Sequence, residues 1–163
     1  MSNPLHVREF FSGVWKGYGE LVPNWWIRWF CPRENIQFSS EAVWLTDTIW
    51  VVNDRFEFSS GRVLERKMFS ELIEPDRIHV TADDMPFGAD ICLTENGFTF
   101  TPYRLLAEYR GFTVQLRCLD ECNVDGEGRV HDRLRMYWHG VCVGELRLGP
   151  INRNAAPSSQ QVG

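Results

Sequence analysis

Phe10-Phe11-Ser12-Gly13-Val14-Trp15-Lys16-Gly17-Tyr18-Gly19 is the stretch whose reading decides the fold. Residues 13–21 read as a strand, yet three glycines interrupt it at positions 13, 17 and 19. Glycine weakens a strand interior and is kept where a strand bends sharply or another backbone comes close, as around a barrel. Upstream, Val7 and Phe10-Phe11 fit a short helix or turn over 5–12 that caps one barrel end.

Downstream, Pro, Gly, Asn and Asp punctuate the chain about every ten residues, and short Val, Ile, Phe, Trp, Tyr and Thr runs lie between them. That rhythm predicts an all-β sandwich or barrel. Strands are expected near 13–21, 25–30, 35–45, 48–58, 62–73, 77–82, 88–93, 97–105, 111–119, 129–138 and 141–148. Several alternate cleanly. Trp50, Val52, Phe56 and Phe58 share one face, and Val51, Asn53, Arg55 and Glu57 the other. Leu64, Met68 and Leu72 continue the apolar face after the Ser59-Ser60-Gly61 turn. Phe112, Val114, Leu116 and Cys118 form another such face, as do Val130, Leu134, Met136 and Trp138. Asn96-Gly97 and Asp125-Gly126 mark hairpins. Consecutive strands on tight turns favour an up-and-down arrangement. The expected organisation is a cap over 1–12, one barrel domain over 13–148, and a polar, Pro-containing disordered tail over 149–163.

Composition agrees. The chain has 163 residues, 44% hydrophobic and 24% charged, with aromatics raised to 13%. Aromatic side chains suit half-buried pleated surfaces. A net charge of −5 argues against general nucleic-acid binding. No run is long enough to span a membrane as a helix, so no stable insertion is expected. Five scattered cysteines, at 31, 92, 118, 122 and 142, without an export signal predict reduced thiols in the cytoplasm. Cys118 and Cys122 lack a CxxC partner or a His at ligand spacing, and His79, His131 and His139 form no metal spacing. Neither a metal nor a cofactor is expected.

Phe10 to Gly19 resembles the opening of the calycin superfamily, which includes lipocalins and fatty-acid-binding proteins. The resemblance implies a single antiparallel up-and-down β-barrel of about 8–10 strands with a short N-terminal helix or turn. It implies that Trp15 plugs the closed end and that an Arg of the last strand, here Arg147, covers it; otherwise Trp15 is an ordinary core residue. Most of residues 9–148 also resemble an uncharacterised bacterial domain-of-unknown-function family, many of whose members look like lipoproteins. Asn53-Asp54-Arg55-Phe56-Glu57-Phe58, Thr81-Ala82-Asp83-Asp84 and Arg133-Leu134-Arg135-Met136-Tyr137-Trp138 carry that likeness. A lipid-anchoring N-terminus like that family's is not expected here, and Trp25-Trp26-Ile27-Arg28-Trp29-Phe30 has no counterpart there. Neither resemblance implies an activity.

Charge on apolar faces is the anomaly that points to a site. Asp54 falls between Val52 and Phe56, Arg66 between Leu64 and Met68, and Asp132 between Val130 and Leu134. Buried charges are costly unless paired. Asp54 and Arg66 lie on adjacent hairpin arms and are expected to pair directly, with Tyr103 and Arg104 joining from another strand. Such a group is either the polar anchor of a ligand pocket or a structural ion-pair network. For Asp132 the network, or a bulge turning it outward, is the preferred reading. Asp83-Asp84 reads as a turn. Trp26, Trp29, Trp50, Phe56, Met68, Phe100 and Trp138 are the candidate apolar lining or lid. The Trp25–Phe30 run is apolar on both faces and is expected as a covered strand, or as an aromatic lid over the mouth or a membrane-contacting edge.

These features favour a non-catalytic barrel that binds a small apolar or amphipathic molecule such as a fatty acid or other lipid. An isomerase or lyase using interior Asp, Arg and Tyr is the alternative. A structural protein with a Trp-rich homodimer interface is a third.

Overall fold

The computed structural model describes residues 6–154. A one-turn helix, α1 (Val7–Phe10), precedes eleven strands: β1 (Gly13–Pro23), β2 (Glu34–Trp44), β3 (Ile49–Phe58), β4 (Val63–Glu74), β5 (Arg77–Ala82), β6 (Met85–Thr94), β7 (Gly97–Phe100), β8 (Tyr103–Tyr109), β9 (Phe112–Val124), β10 (Val130–Trp138) and β11 (Val141–Asn154). Every pairing is antiparallel, and neighbours in sequence are neighbours in the sheet except β7 and β8, which both pair with β9. Long strand β9 pairs with β7 through Glu121–Asn123 and with β8 through Phe112–Cys118, so β7 and β8 share one place in the wall. β9 then pairs with β10, β10 with β11 and β11 with β1, which closes a barrel of ten strand positions. Closure leaves the main sheet without open edges.

The glycines of β1 make that closure close-fitting. A Cβ on Gly19 would lie 2.1 Å from the Arg147 carbonyl oxygen, and one on Gly17 2.9 Å from the Ile151 Cα. Opposite them the β11 register slips between Ile151 and Leu148, a bulge that takes in Gly149 and Pro150. Proline is tolerated at such a position because the ladder there needs no N–H.

That bulge also corrects two expectations. β11 does not stop at 148: residues up to Asn154 pair with Val14–Gly17 of β1, taking six positions assigned to the tail. Residues 155–163 lie outside those described. With the strand longer and its register shifted, Arg153 rather than Arg147 sits opposite Trp15, its guanidinium carbon 5.9 Å from the ring centroid. Arg147 lies opposite Glu20 and faces solvent, bonded to Glu145 at 2.8 Å.

The barrel has two unlike ends. At one, α1 seals the interior: Phe10 lies 5.3 Å from Trp15 and 5.8 Å from Phe98, and Phe11 lies 5.7 Å from Trp50. At the other, the segment after β1 turns across the mouth. It is a 3₁₀ turn (Trp25–Ile27) rather than the expected strand. Asn24 causes this, because its side chain accepts from the Trp25 N–H at 2.7 Å and donates to the Cys142 carbonyl at 3.1 Å. An Asn that caps its own chain this way competes with continued strand pairing. The expected cover on both faces is missing as well, for Trp25 and Trp29 are 77% and 82% exposed.

Candidate functional site

Strand alternation puts the even-numbered residues of β2, β3, β4, β9 and β10 inside the barrel. Across β1 to β4 the register then lines up Trp15, Ser40, Asp54 and Arg66 as direct neighbours. Asp54 is buried, and Ser40 hydrogen-bonds its carboxylate. Arg66 does not close on Asp54 as expected. Its Nε donates at 3.0 Å to Asp84, in the β5–β6 turn, and it acts on Asp54 only as a nearby charge. Asp84 is thus both the turn residue read from sequence and the partner that reading missed.

A second polar row comes from β8, β9 and β10. The buried Tyr103 hydroxyl donates to Asp120 Oδ2 at 3.1 Å. Asp120 and Cys122, two apart on β9, share its inner face, and Asp132 on β10 is the direct cross-strand partner of Cys122. A register slip follows Val130, as a bulge would give, but it leaves Asp132 facing inward. Asp120, Cys122 and Asp132 bring one ligand-type atom each to within 4.8 Å of one another. Sequence reading flagged Asp132 alone. The i, i+2 pair Asp120/Cys122 was the available signal, hidden because Cys122 was weighed only with Cys118, which supplies neither a CxxC partner nor a His at ligand spacing. Arg104 is the fourth expected anchor, and it does not join. Its neighbour Tyr103 takes the inward position, so Arg104 points out to Gln115 at 3.5 Å.

Electrostatics inside the barrel are lopsided. Among the described residues, the carboxyl groups of Asp54, Asp84, Asp120 and Asp132 stand against one guanidinium, that of Arg66, while the buried Glu34 has Arg62. Burial pushes Asp54 up to about 6, and Ser40 and Arg66 only partly offset it. Asp120 and Asp132 are raised too, chiefly by burial, and Asp132 further by the charge of Asp120. Burial lifts the Cys118 thiol to about 12 and the Tyr103 phenol well above its ordinary value. Burial works against the charge of Arg66, but Tyr103, Asp84 and Asp54 outweigh it. Among the described residues, Arg66 Nη2, Asp120 Oδ1 and Asp132 Oδ1 are buried without a hydrogen-bond partner, as are Arg62 Nε and the indole nitrogens of Trp44 and Trp50. Buried polar atoms almost always have one, so each exception asks for a cause.

The apolar candidates separate into two groups. Trp50 is 1% exposed and stacks on Trp44 at 4.3 Å, which makes it part of the α1-sealed core. Phe56 lies beside Asp54 toward the mouth, its ring 5.0 Å from Phe38 and opposite Leu64 on β4, whereas Met68 lies opposite Val52, on the far side of the Asp54–Arg66 pair. Phe100 touches Tyr103 at 5.7 Å. Trp26 is half-buried, its indole bonded to the Cys142 carbonyl, whereas Trp29 points into solvent and Trp138 is 43% exposed. Phe30 does what Trp29 was expected to do. It crosses the mouth to Tyr109 (5.4 Å) and Phe112 (6.2 Å), and Arg62 from the β3–β4 turn reaches Tyr109 at 5.2 Å. Arg62 also pairs with the buried Glu34 at 3.4 Å. Two concavities, of about 440 and 470 Å³, lie mainly among outward-pointing side chains; the larger also touches Ser40, Asp54 and Arg66.

A closed antiparallel barrel with one end sealed by an N-terminal helix and a Trp-bearing first strand is a calycin-type, lipocalin-like fold. Among solved structures, the S-type phycobiliprotein lyase CPES from Guillardia theta aligns over 93% of this chain and 94% of its own, with a TM-score of 0.61 and 12% identity. Lobster apocrustacyanin A1 aligns over 94% of this chain and 66% of its own, with a TM-score of 0.37 and 15% identity. No protein-family model and no curated protein matches the chain, so the likeness stands at the level of the fold. No helix among the described residues is long and apolar enough to cross a membrane.

Proposed function

We propose that the chain is a non-catalytic binding barrel for a small amphipathic molecule. Its apolar body would lie along Phe38, Phe56 and Leu64, under the Phe30–Tyr109–Arg62 cover. Its polar end would meet Asp54, Arg66, Tyr103 and Asp120. The supporting observation is the buried polar cluster left partly unpartnered inside an otherwise aromatic barrel. Ligand pockets combine an apolar lining with a few convergent polar groups in this way. The fold shared with a phycobiliprotein lyase agrees with a barrel that handles another molecule, without selecting which.

Charge chooses the headgroup. One arginine, already bonded to Asp84, faces three further carboxyls, so a hydroxyl or N–H headgroup suits the cluster better than a fatty-acid carboxylate. Retinol and retinoic acid share an apolar body and differ at that end. Titrated into the full chain, retinol is expected to quench tryptophan fluorescence and to bind about tenfold more tightly than retinoic acid, a difference of about 1.4 kcal/mol. Equal affinities overturn the headgroup assignment. No quenching by either, with no small-molecule adduct in native mass spectrometry, overturns the binding barrel.

A second reading uses the same residues for acid–base chemistry. Asp54, raised to about 6, titrates near the range where a general acid or base works well. If so, a co-purified ligand takes up deuterium from D₂O on the wild-type protein and not on Asp54→Asn. Absence of wash-in on the wild type removes the enzymatic reading.

A further inference from the structure

We propose that Asp120, Cys122 and Asp132 form a three-ligand site for a divalent transition-metal ion of zinc type. The inference does not rest on the binding reading above. It starts from strand geometry: β9 places Asp120 and Cys122 on the barrel's inner face, and the β9–β10 register sets Asp132 directly opposite Cys122. The three side chains form a triangle of two oxygens and one sulfur with all separations within 4.8 Å. Donor atoms around a tetrahedral zinc stand roughly 3.3–3.7 Å apart, so a contraction of about an ångström completes the site.

Independent of that clustering, Asp120 is 8% exposed, yet its Oδ1 has no partner, and Asp132 Oδ1 is in the same condition. An orphaned, buried carboxylate oxygen costs free energy unless a proton or a cation meets it. The interior cation nearest the pair, Arg66, is held at Nε by Asp84 and reaches Asp120 only as a nearby charge, with no hydrogen bond to either oxygen. A divalent ion would satisfy both oxygens and offset the excess of acid. The other Asp120 oxygen is held by the Tyr103 hydroxyl at 3.1 Å, the kind of outer partner that orients metal-ligating carboxylates. Mixed oxygen and thiolate donors favour zinc over calcium or magnesium. Three protein ligands leave the fourth position to water or to a bound molecule. On binding, the Cys122 thiol proton and any carboxyl proton of the pair pass to solvent.

Cobalt(II) reports on such a site directly. Titrated under reducing conditions into the full chain, it is expected to give a thiolate-to-cobalt charge-transfer band and visible bands of tetrahedral cobalt at one equivalent, both removed by added zinc. Cys122→Ser loses the charge-transfer band. Asp132→Asn keeps that band but binds about tenfold or more weakly, and Tyr103→Phe weakens binding by about tenfold. The combined Cys31→Ser, Cys92→Ser and Cys142→Ser variant, altered only in the cysteines outside the barrel core cluster, keeps the band and the affinity. No charge-transfer band in the wild type overturns the site. A band that survives Cys122→Ser, or vanishes in the triple variant, overturns it too. Should Cys122→Ser not fold, Asp132→Asn against the triple variant decides: equal affinity of Asp132→Asn and wild type overturns the assignment. Cobalt binding with no retinol binding would leave the metal site standing and remove only the amphipathic ligand.

Discussion

The two ends of the barrel interior are built from the same alternating strands and solve burial in opposite ways. Around α1, Phe10, Phe11, Trp15, Trp50 and Phe98 fill the space with ring-to-ring contacts of 5.3–5.8 Å, and Arg153 closes over the outside. The phenyl rings there need no partners, although among the described residues the buried Trp44 and Trp50 indole N–H groups also have none. Beyond these rings the barrel interior holds Asp54, Arg66, Asp84, Tyr103, Asp120 and Asp132, and three of their polar atoms go unmatched. Packing of the first kind stabilises. An arrangement of the second kind costs stability by itself, and such costs tend to mark functional places. The sealed end holds the barrel shut, and the polar cluster is where the proposed ligand and metal ion would be bound.

Variants at each end would break or sharpen that contrast. The largest effect belongs to the sealed end: Trp50→Ala, at 1% exposure, is expected to cost about 3–5 kcal/mol in denaturant unfolding. A loss under about 1 kcal/mol would mean that α1 does not plug a packed core.

Asp54→Asn should do the reverse. With its carboxyl raised from 3.8 to about 6, the folded state binds the proton more tightly than the unfolded chain. Its contribution is therefore fully present below about pH 4, falls as pH rises toward 6, and is gone above that. The change is on the order of 3 kcal/mol. Asp54→Asn removes this dependence, so the variant should become the more stable protein as pH rises from 4 to 7. A stability difference that stays flat over that range would show that Asp54 is not held protonated by burial.

Smaller differences separate the two arginines. Arg153→Ala is expected to cost about 0.5–1 kcal/mol through its contact with Trp15. Arg147→Ala should cost less, because an exposed ion pair contributes little. The opposite order in thermal unfolding would restore Arg147 as the barrel's closing residue. Smallest of all, Trp25→Ala and Trp29→Ala, both on solvent-facing side chains, should stay within about 0.5 kcal/mol. A larger loss together with a change in sedimentation would reveal a second copy of the chain on that face.

Much of the wall was legible in the chain. Period-two alternation in 50–58 and 64–72 correctly put Asp54 and Arg66 opposite each other on the inner face, because a side chain's face on a strand follows from counting alone. Counting failed where the backbone departs from the period. The β11 bulge moved Arg153 into the place expected of Arg147, and Asn24 turned the Trp25–Phe30 strand into a cover whose inward ring is Phe30. Asp120 was missed for a different reason. Its row reads Leu116, Cys118, Asp120, Cys122, and only the closure of β9 on β10 shows what it meets.

By itself, then, the sequence determined the all-β class, the inward faces of its strands and the presence of buried charge, since all three are local properties of residue type and spacing. Partner choice belonged to the tertiary structure: Arg66 with Asp84, Tyr103 with Asp120, and Asp132 with Cys122. These pairs join residues separated by 10 to 18 positions or lying across a closure of the ring. Which carboxylate an arginine reaches there depends on barrel shear and bulges, which no single strand records.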